Sequence, residues 1–354
     1  MIKKTFSRSA LRADILLLLT AAIWGFGFVA QRSGMEYVGP FTFNGVRFVL
    51  GSLSLLPVIL IRRKRPGLKP APFRRLLFSS LAAGFFIFFG VIIQQFGIMF
   101  TTVGNAGFIT GIYVVLTPIF AIFLKRKTGI ATWIGSALTF LGLYFLSAAG
   151  RSSINPGDIL VFISAIFWTA HVLLIDHLMQ REGSATSGRL DSVKLDPIEL
   201  SAGQFAVCAA LSLLGAFLVE PYVIAVVERI DPSLIAAGLF DWQPFPALIE
   251  SLRTGVAPVG APQLSAQALI PILYGGLCSV GIAYTLQVVA QRAAPPAHAT
   301  IILCFEGCFA ALGGVLLLSE KIGLWTLLGF VLMLSGMLAS QWEVVVKPQR
   351  INKN

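Results

Sequence analysis

Apolar residues in this chain come in blocks about twenty residues long, separated by short polar connectors. Ten such blocks can be marked, at roughly 14–33, 41–61, 76–98, 104–124, 130–149, 157–178, 198–219, 268–290, 298–318 and 323–342. About 20 apolar residues in a helix span the hydrocarbon core of a bilayer. Backbone groups in that core have no water to bond, so each block is expected to be an α-helix. Two connectors are longer: the polar stretch 179–197 and the proline-rich insert 220–267. Within the insert, 221–239 is apolar, but Glu228, Arg229, Asp231 and Pro232 argue against an eleventh span and for one or two short helices at the membrane surface. Lys3, Lys4, Arg8 and Arg12 ahead of LLLLTAAIW imitate a secretory signal. The apolar run continues to Ala30 without a small-residue cleavage site, so an uncleaved first helix is expected.

Composition agrees with the pattern. Of 354 residues, 56% are hydrophobic and 12% charged, about half the charged share of a soluble protein; mean hydropathy is +0.83. The net charge of +11 would suit nucleic acid, but its placement points elsewhere. With the N-terminus inside, the cytoplasmic segments hold 21 of the 27 Lys and Arg residues and the outer segments 5, with Arg47 inside a span. Such asymmetry orients membrane proteins. Both termini are therefore expected in the cytoplasm, with the basic loops against anionic lipid heads and no nucleic-acid partner. Cys208, Cys278, Cys304 and Cys308 all lie in apolar runs and read as small hydrophobes.

The chain also repeats itself. Asp14-Ile15-Leu16 is followed by Trp24, and Asp158-Ile159-Leu160 by Trp168, each ten residues after its aspartate. Pro40 and Arg47 stand seven apart, as do Pro197 and Gln204. KTGIATWIGSALTFLG (127–142) aligns without gaps on KIGLWTLLGFVLMLSG (321–336). Five spans per repeat is odd, so the second copy enters from the opposite face. The expectation is an all-α integral membrane protein of ten transmembrane helices in two inverted five-helix repeats: 1–150, and 151–354 with an extracytoplasmic insert at 220–267. In many secondary transporters such repeats enclose a site near the midplane.

Several segments together resemble the drug/metabolite transporter superfamily, in its ten-helix EamA-type permease branch: AAIWGFGFVAQR (21–32), GPFTFNGVRF (39–48), TTVGNAGFITGIYVVLTPIF (101–120), SAIFWTAHVLLID (164–176) and FEGCFAALGGVLLLSEKI (305–322). The ordered set, covering about 14–342 apart from the insert, is more specific than any member. Gly307 stands where the family often has proline after the ninth-helix glutamate, which would remove a kink, and Arg126 where it often has glutamate. The resemblance implies transport of small organic solutes, often efflux.

Polar residues inside the apolar runs are the candidate chemistry. Glu306 is foremost, since a charge at the bilayer centre costs roughly 2.5–3.5 kcal/mol on insertion scales. Helical spacing puts it on a narrow stripe with Ala299, Ile302, Ala310 and Gly313. It is either a structural hydrogen-bonding acid or a site for a proton or a cationic solute group. Arg47, two turns into the second run, either snorkels, caps a helix end, pairs with Glu306 or meets an anionic solute. Trp24 and Gln31 share a face of the first run, and Thr110 and Tyr113 share one in the fourth with Ala106 and Thr117. Trp168 and His171 share a face of the sixth run with Ser164, and Tyr284 and Gln287 one of the eighth with Gln291. These stripes serve as cavity lining or interhelical bonding. Gln94 and Gln95 are adjacent and cannot both face a cavity. His298, at the mouth of the ninth run, reads as a cap, and Gly107 with Gly111 as a close helix contact.

The sequence offers no HExxH, no GxSxG, no Walker loop and no metal-spaced histidine pair, so no enzyme, cofactor or metal site is expected. The expectation is a multi-pass permease or exporter of the bacterial cytoplasmic (inner) membrane, acting by alternating access. Its substrate-binding candidates are Trp24, Gln31, Thr110, Tyr113, Trp168, His171, Tyr284, Gln287 and Glu306, with Glu306 and Arg47 for proton or charge coupling. Its partners are a small-molecule solute, a proton if transport is coupled, and the lipid bilayer, as a monomer or homodimer. The alternatives are an uncoupled facilitative exchanger or a channel-like or receptor membrane protein.

Overall fold

A computed structural model of the chain describes residues 8–64, 71–101, 103–124, 128–147, 156–180, 195–223, 266–318 and 323–346. Nearly all of these are helical: α1 (Arg8–Gly34), α2 (Pro40–Arg63), α3 (Phe73–Phe100), α4 (Val103–Thr110), α5 (Tyr113–Phe123), α6 (Ile130–Ser147), α7 (Pro156–Gln180), α8 (Pro197–Leu218), α9 (Ala266–Leu273), a π-helical segment Tyr274–Tyr284, α10 (Thr285–Ala290), α11 (Pro296–Leu303), α12 (Phe305–Leu318) and α13 (Leu324–Val346). Eight described stretches are long and apolar enough to cross a membrane, with α4–α5, α9–α10 and α11–α12 each counting as one. The fifth and tenth apolar runs correspond to α6 and α13, whose apolar stretches, 130–145 and 327–340, are shorter. The surface helices expected within 221–239, and most of the insert, lie outside the described residues.

Lipid-type surface and core are distributed as the composition demands. Leu60, Ile61, Phe78, Phe123, Leu316 and Leu324 are exposed, while Thr20, Asn44, Arg47, His171, Gln204, Gln287 and Glu306 are buried. Hydrocarbon outside and polar groups inside is the economical arrangement in a bilayer.

Helix α2 is held at both ends by acidic residues in and flanking α8. At its C-terminus, Arg62 and Arg63 meet Asp196 and Glu199 at 2.6 and 2.7 Å. At its N-terminus, the Thr42 N–H and O–H donate to the Glu220 carboxylate at 2.8 and 2.5 Å. Cations at a C-terminus and an anion at an N-terminus both oppose the helix dipole, and Glu220 satisfies N–H groups that α2 cannot pair within itself. Asp196 also caps its own helix, accepting from Ile198 and Glu199. At another helix end, Arg32 donates to the Ile98 and Met99 carbonyls of α3.

Two apolar runs are interrupted. The fourth breaks at Gly111 and Ile112, between α4 and α5; the ninth breaks at Cys304, between α11 and α12. The expectation that Gly307, in place of proline, removes the ninth-run kink is therefore corrected: the interruption lies three residues earlier, closed by a Gly307 N–H bond to the Cys304 carbonyl at 3.0 Å. The breaks face each other, because the Cys304 thiol donates to the Gly111 carbonyl at 3.2 Å. Close approach is possible because Gly107 lies against Gly307 and Ala310: a Cβ on Gly107 would stand 3.3 Å from the Gly307 Cα.

Helices α6 and α13 pack along a glycine seam. A Cβ added at Gly135 would stand 2.7 Å from the Gly336 carbonyl, and one at Gly142 the same distance from the Gly329 carbonyl. Gly142 also meets Met333, and Gly336 meets Thr139. In the 127–142 and 321–336 alignment Gly135 matches Gly329, Thr139 matches Met333 and Gly142 matches Gly336. The matched positions thus pair crosswise. Among the remaining helices, α3 packs on α7 and α8, while α1 and α2 pack on the π-helical segment.

Candidate functional site

The two breaks open onto a cavity. Its lining comes from α1 (Trp24, Phe28, Gln31), α2 (Arg47), α3 (Gln94), the first break (Thr110, Tyr113), α7 (Trp168, Val172), the π-helical segment and α10 (Ser279, Tyr284, Gln287) and the second break (Leu303, Glu306). Nine of the ten residues singled out from the sequence stand in this wall.

Tyr284 is the aromatic hub. Its ring lies 4.6 Å from that of Trp24, 5.9 Å from Trp168, 6.1 Å from Phe48 and 5.9 Å from Phe205. Four helices therefore meet on one phenol. The π-helical turns explain how. Bonds closed over five residues bring Tyr274, Ser279 and Tyr284 towards one side, and all three engage α1: Tyr274 donates to the Ile23 carbonyl at 2.8 Å, and the Ser279 carbonyl accepts from Trp24 Nε1 at 3.2 Å. The same shift lets the Ala283 carbonyl accept from Thr20 at 3.3 Å.

Glu306 is 3% exposed, in the first turn of α12. Tyr113, just after the first break, donates to its Oε1 at 3.0 Å. Its stripe is divided: Glu306 borders the cavity, while Ala310 packs on Gly107 and Gly313 lies near Phe26 and Val29. Arg47 is 2% exposed and neither snorkels nor caps a helix end. Its guanidinium lies over the Phe43 and Phe48 rings at 5.4 and 5.3 Å. No ion pair joins Arg47 to Glu306 or to any other carboxylate among the described residues.

His171 is turned away from the cavity wall, with Nε2 3.1 Å from Gln204 Oε1 on α8. Ser164 bonds the Val161 carbonyl and Gln291 the Val172 carbonyl, so these stripe members act as interhelical or local bonds. His298 ties α1 to α11 and α13, at 2.9 Å from Asp14 and 3.1 Å from Ser340. Gln94 faces the cavity and donates to Thr110 at 2.8 Å, while Gln95 donates to the Gln31 carbonyl at 3.3 Å. Phe28, Gln94, Val172, Ser279 and Leu303 were not foreseen as lining. No metal-ligating cluster is found among the described residues.

The model of the EamA-like transporter family matches residues 11–148 and 247–340. An uncharacterized transporter of Archaeoglobus fulgidus is 28% identical over 316 residues, covering 88% of this chain and 79% of that one. The uncharacterized transporter YoaV of Bacillus subtilis is 21% identical over 330 residues, 90% of this chain and 93% of its own. The uncharacterized inner membrane transporter YedA of Escherichia coli is 32% identical over 155 residues, 41% of this chain and 47% of its own. The fold is shared with a protein of known crystal structure at a TM-score of 0.65 and 14% identity, covering 95% of this chain and 98% of the other. With family matches on both sides of the chain's middle and transporter relatives along most of its length, this multi-pass membrane protein belongs to the EamA-like transporter family.

Proposed function

We propose that the chain is a secondary transporter that moves a small organic metabolite across the cytoplasmic membrane by alternating access. Two inverted five-helix halves, 1–150 and 151–354, rock about the cavity around Tyr284, with both termini cytoplasmic. The observation that carries this reading is the pair of facing helix breaks, at Gly111–Ile112 and Cys304, each placing polar residues in one cavity. Discontinuous helices at corresponding positions of two repeats are where such carriers bind their cargo. The crosswise glycine seam supports the two-fold relation, and the 21-to-5 charge split supports the orientation.

Glu306 is the coupling residue of this reading. A carboxyl in a cavity binds either a proton or a donor group of the solute, and that competition links the two fluxes. The test is counterflow in proteoliposomes against a panel of metabolites, with and without a pH gradient. Glu306→Gln keeps the shape of the site and removes its charge. It should abolish the response to the gradient while the purified variant keeps its wild-type melting temperature. A variant with the wild-type rate and pH profile would make Glu306 a structural residue only. Wild-type counterflow that never responds to a gradient would favour uncoupled exchange. Wild-type vesicles inert towards every solute would sink the transporter mechanism.

A further inference from the structure

We infer that the solute carries a carboxylate-like anionic group and that Arg47 is its anchor; the inference rests on the cavity being the solute site. A buried charge is normally paired or bound to a metal. Arg47, 2% exposed, has neither a carboxylate within ion-pair distance among the described residues nor a hydrogen-bond partner at Nε. Its contacts are the faces of Phe43 and Phe48, which hold the guanidinium from the flanks and leave its edge unmatched.

The other half of the chain shows what a filled position looks like. Arg47 follows Pro40 by seven residues, as Gln204 follows Pro197. Gln204 is engaged by His171, three residues after Trp168. Three residues after Trp24 stands Gly27, with no side chain to offer. One half therefore carries a hydrogen-bonded Gln–His pair, and the other a cation with its counterpart deleted. The room is prepared as well: a Cβ on Gly275 would stand 3.3 Å from the Arg47 Cδ, so the bare π-helical backbone lets the stem pass towards the cavity. A second wall donor, Trp168 Nε1, is also buried and without a partner.

Glu306 could neutralise Arg47, yet it is held by Tyr113 instead. With that carboxyl engaged by Tyr113 and no ion pair to Arg47 among the described residues, the arginine is left for a ligand. A guanidinium presents a planar fork of donors matched to a carboxylate, which an ammonium does not. A neutral or purely cationic cargo would leave that fork buried and unmatched.

The test separates an anchor from a structural cation. In purified protein without solute, Arg47→Met removes an unmatched buried charge and should raise the melting temperature, by about 2 °C or more. A structural arginine predicts a fall. Millimolar benzoate, phenylacetate and 3-phenylpropionate should raise the wild-type melting temperature, and their matched primary amides should not. The Met variant should respond to neither set. Arg47→Lys, which keeps the charge and loses the fork, should respond at least tenfold more weakly in concentration. A lower melting temperature for the Met variant, or equal stabilisation of both proteins by the acids, overturns the anchor. So does wild type that ignores all three acids while its counterflow is confined to uncharged or cationic solutes. Counterflow reads the underlying mechanism separately: anionic solutes exchanged equally by wild type and the Met variant refute the anchor alone, whereas wild-type vesicles inert to every solute refute the transporter mechanism.

Discussion

The hydrogen bond from Tyr113 to Glu306 joins the two broken helices through their side chains, beside the bond from the Cys304 thiol to the Gly111 carbonyl. Tyr113→Phe keeps the ring and deletes the donor. Leaving a buried carboxyl without its bond costs about 1–3 kcal/mol, so the variant should melt lower than wild type and shift the pH profile of counterflow. If both are unchanged, the Tyr113–Glu306 bond does not couple the two breaks. Residues of this kind were legible as stripes, because Thr110–Tyr113 and Tyr284–Gln287 obey helical spacing. His171 shares such a stripe with Trp168, yet its ring is taken by Gln204, a long-range partner no single-helix periodicity reveals. Phe28, Val172 and Leu303 were illegible for the opposite reason: an apolar residue facing a cavity has the same sequence signature as one facing a neighbour.

At the level of elements, helix ends and irregular turns escaped the sequence more than helix bodies did. Ser279 sits five residues before Tyr284, off its face in an α-helix and towards it only because the intervening turns are π-helical. Neither break carries a proline to announce it. Glu220 lay in a connector, where nothing in its neighbours marked it as a cap for a helix 178 residues away. Burial pushes the Glu220 carboxyl above the ordinary range, against the opposing pull of its bonds from Thr42. The folded protein then holds that proton more tightly than the unfolded chain does. This contribution to stability is present at low pH and is lost as pH rises, from roughly 4.3 upwards. Glu220→Gln stays neutral and should lose that dependence. The melting temperature of wild type relative to the variant should fall as pH is raised from roughly 4; a constant difference would refute the linkage.

Across the whole molecule, the ten apolar runs, their helical nature and the ordered family motifs were all readable, because the bilayer imposes length and composition directly. Which helices touch was not readable; the gapless match of 127–142 to 321–336, read as a repeat, lies on the seam between α6 and α13. Gly135→Val or Gly336→Val places a branched side chain against the opposing backbone, an overpacking that costs about 1–3 kcal/mol. Because both residues meet at one contact, the double variant should melt well above the temperature expected from adding the two losses; simple additivity would mean that the seam yields independently at each glycine. The crosswise arrangement also bears on assembly. Each strip supplies one glycine from its middle and one from its end, and each is met by the opposite kind. Two copies of a single strip, inserted in opposite directions, contain every notch such a seam requires. On the proposed two-fold relation, a half-chain and a second copy of it inserted the opposite way would together close this contact.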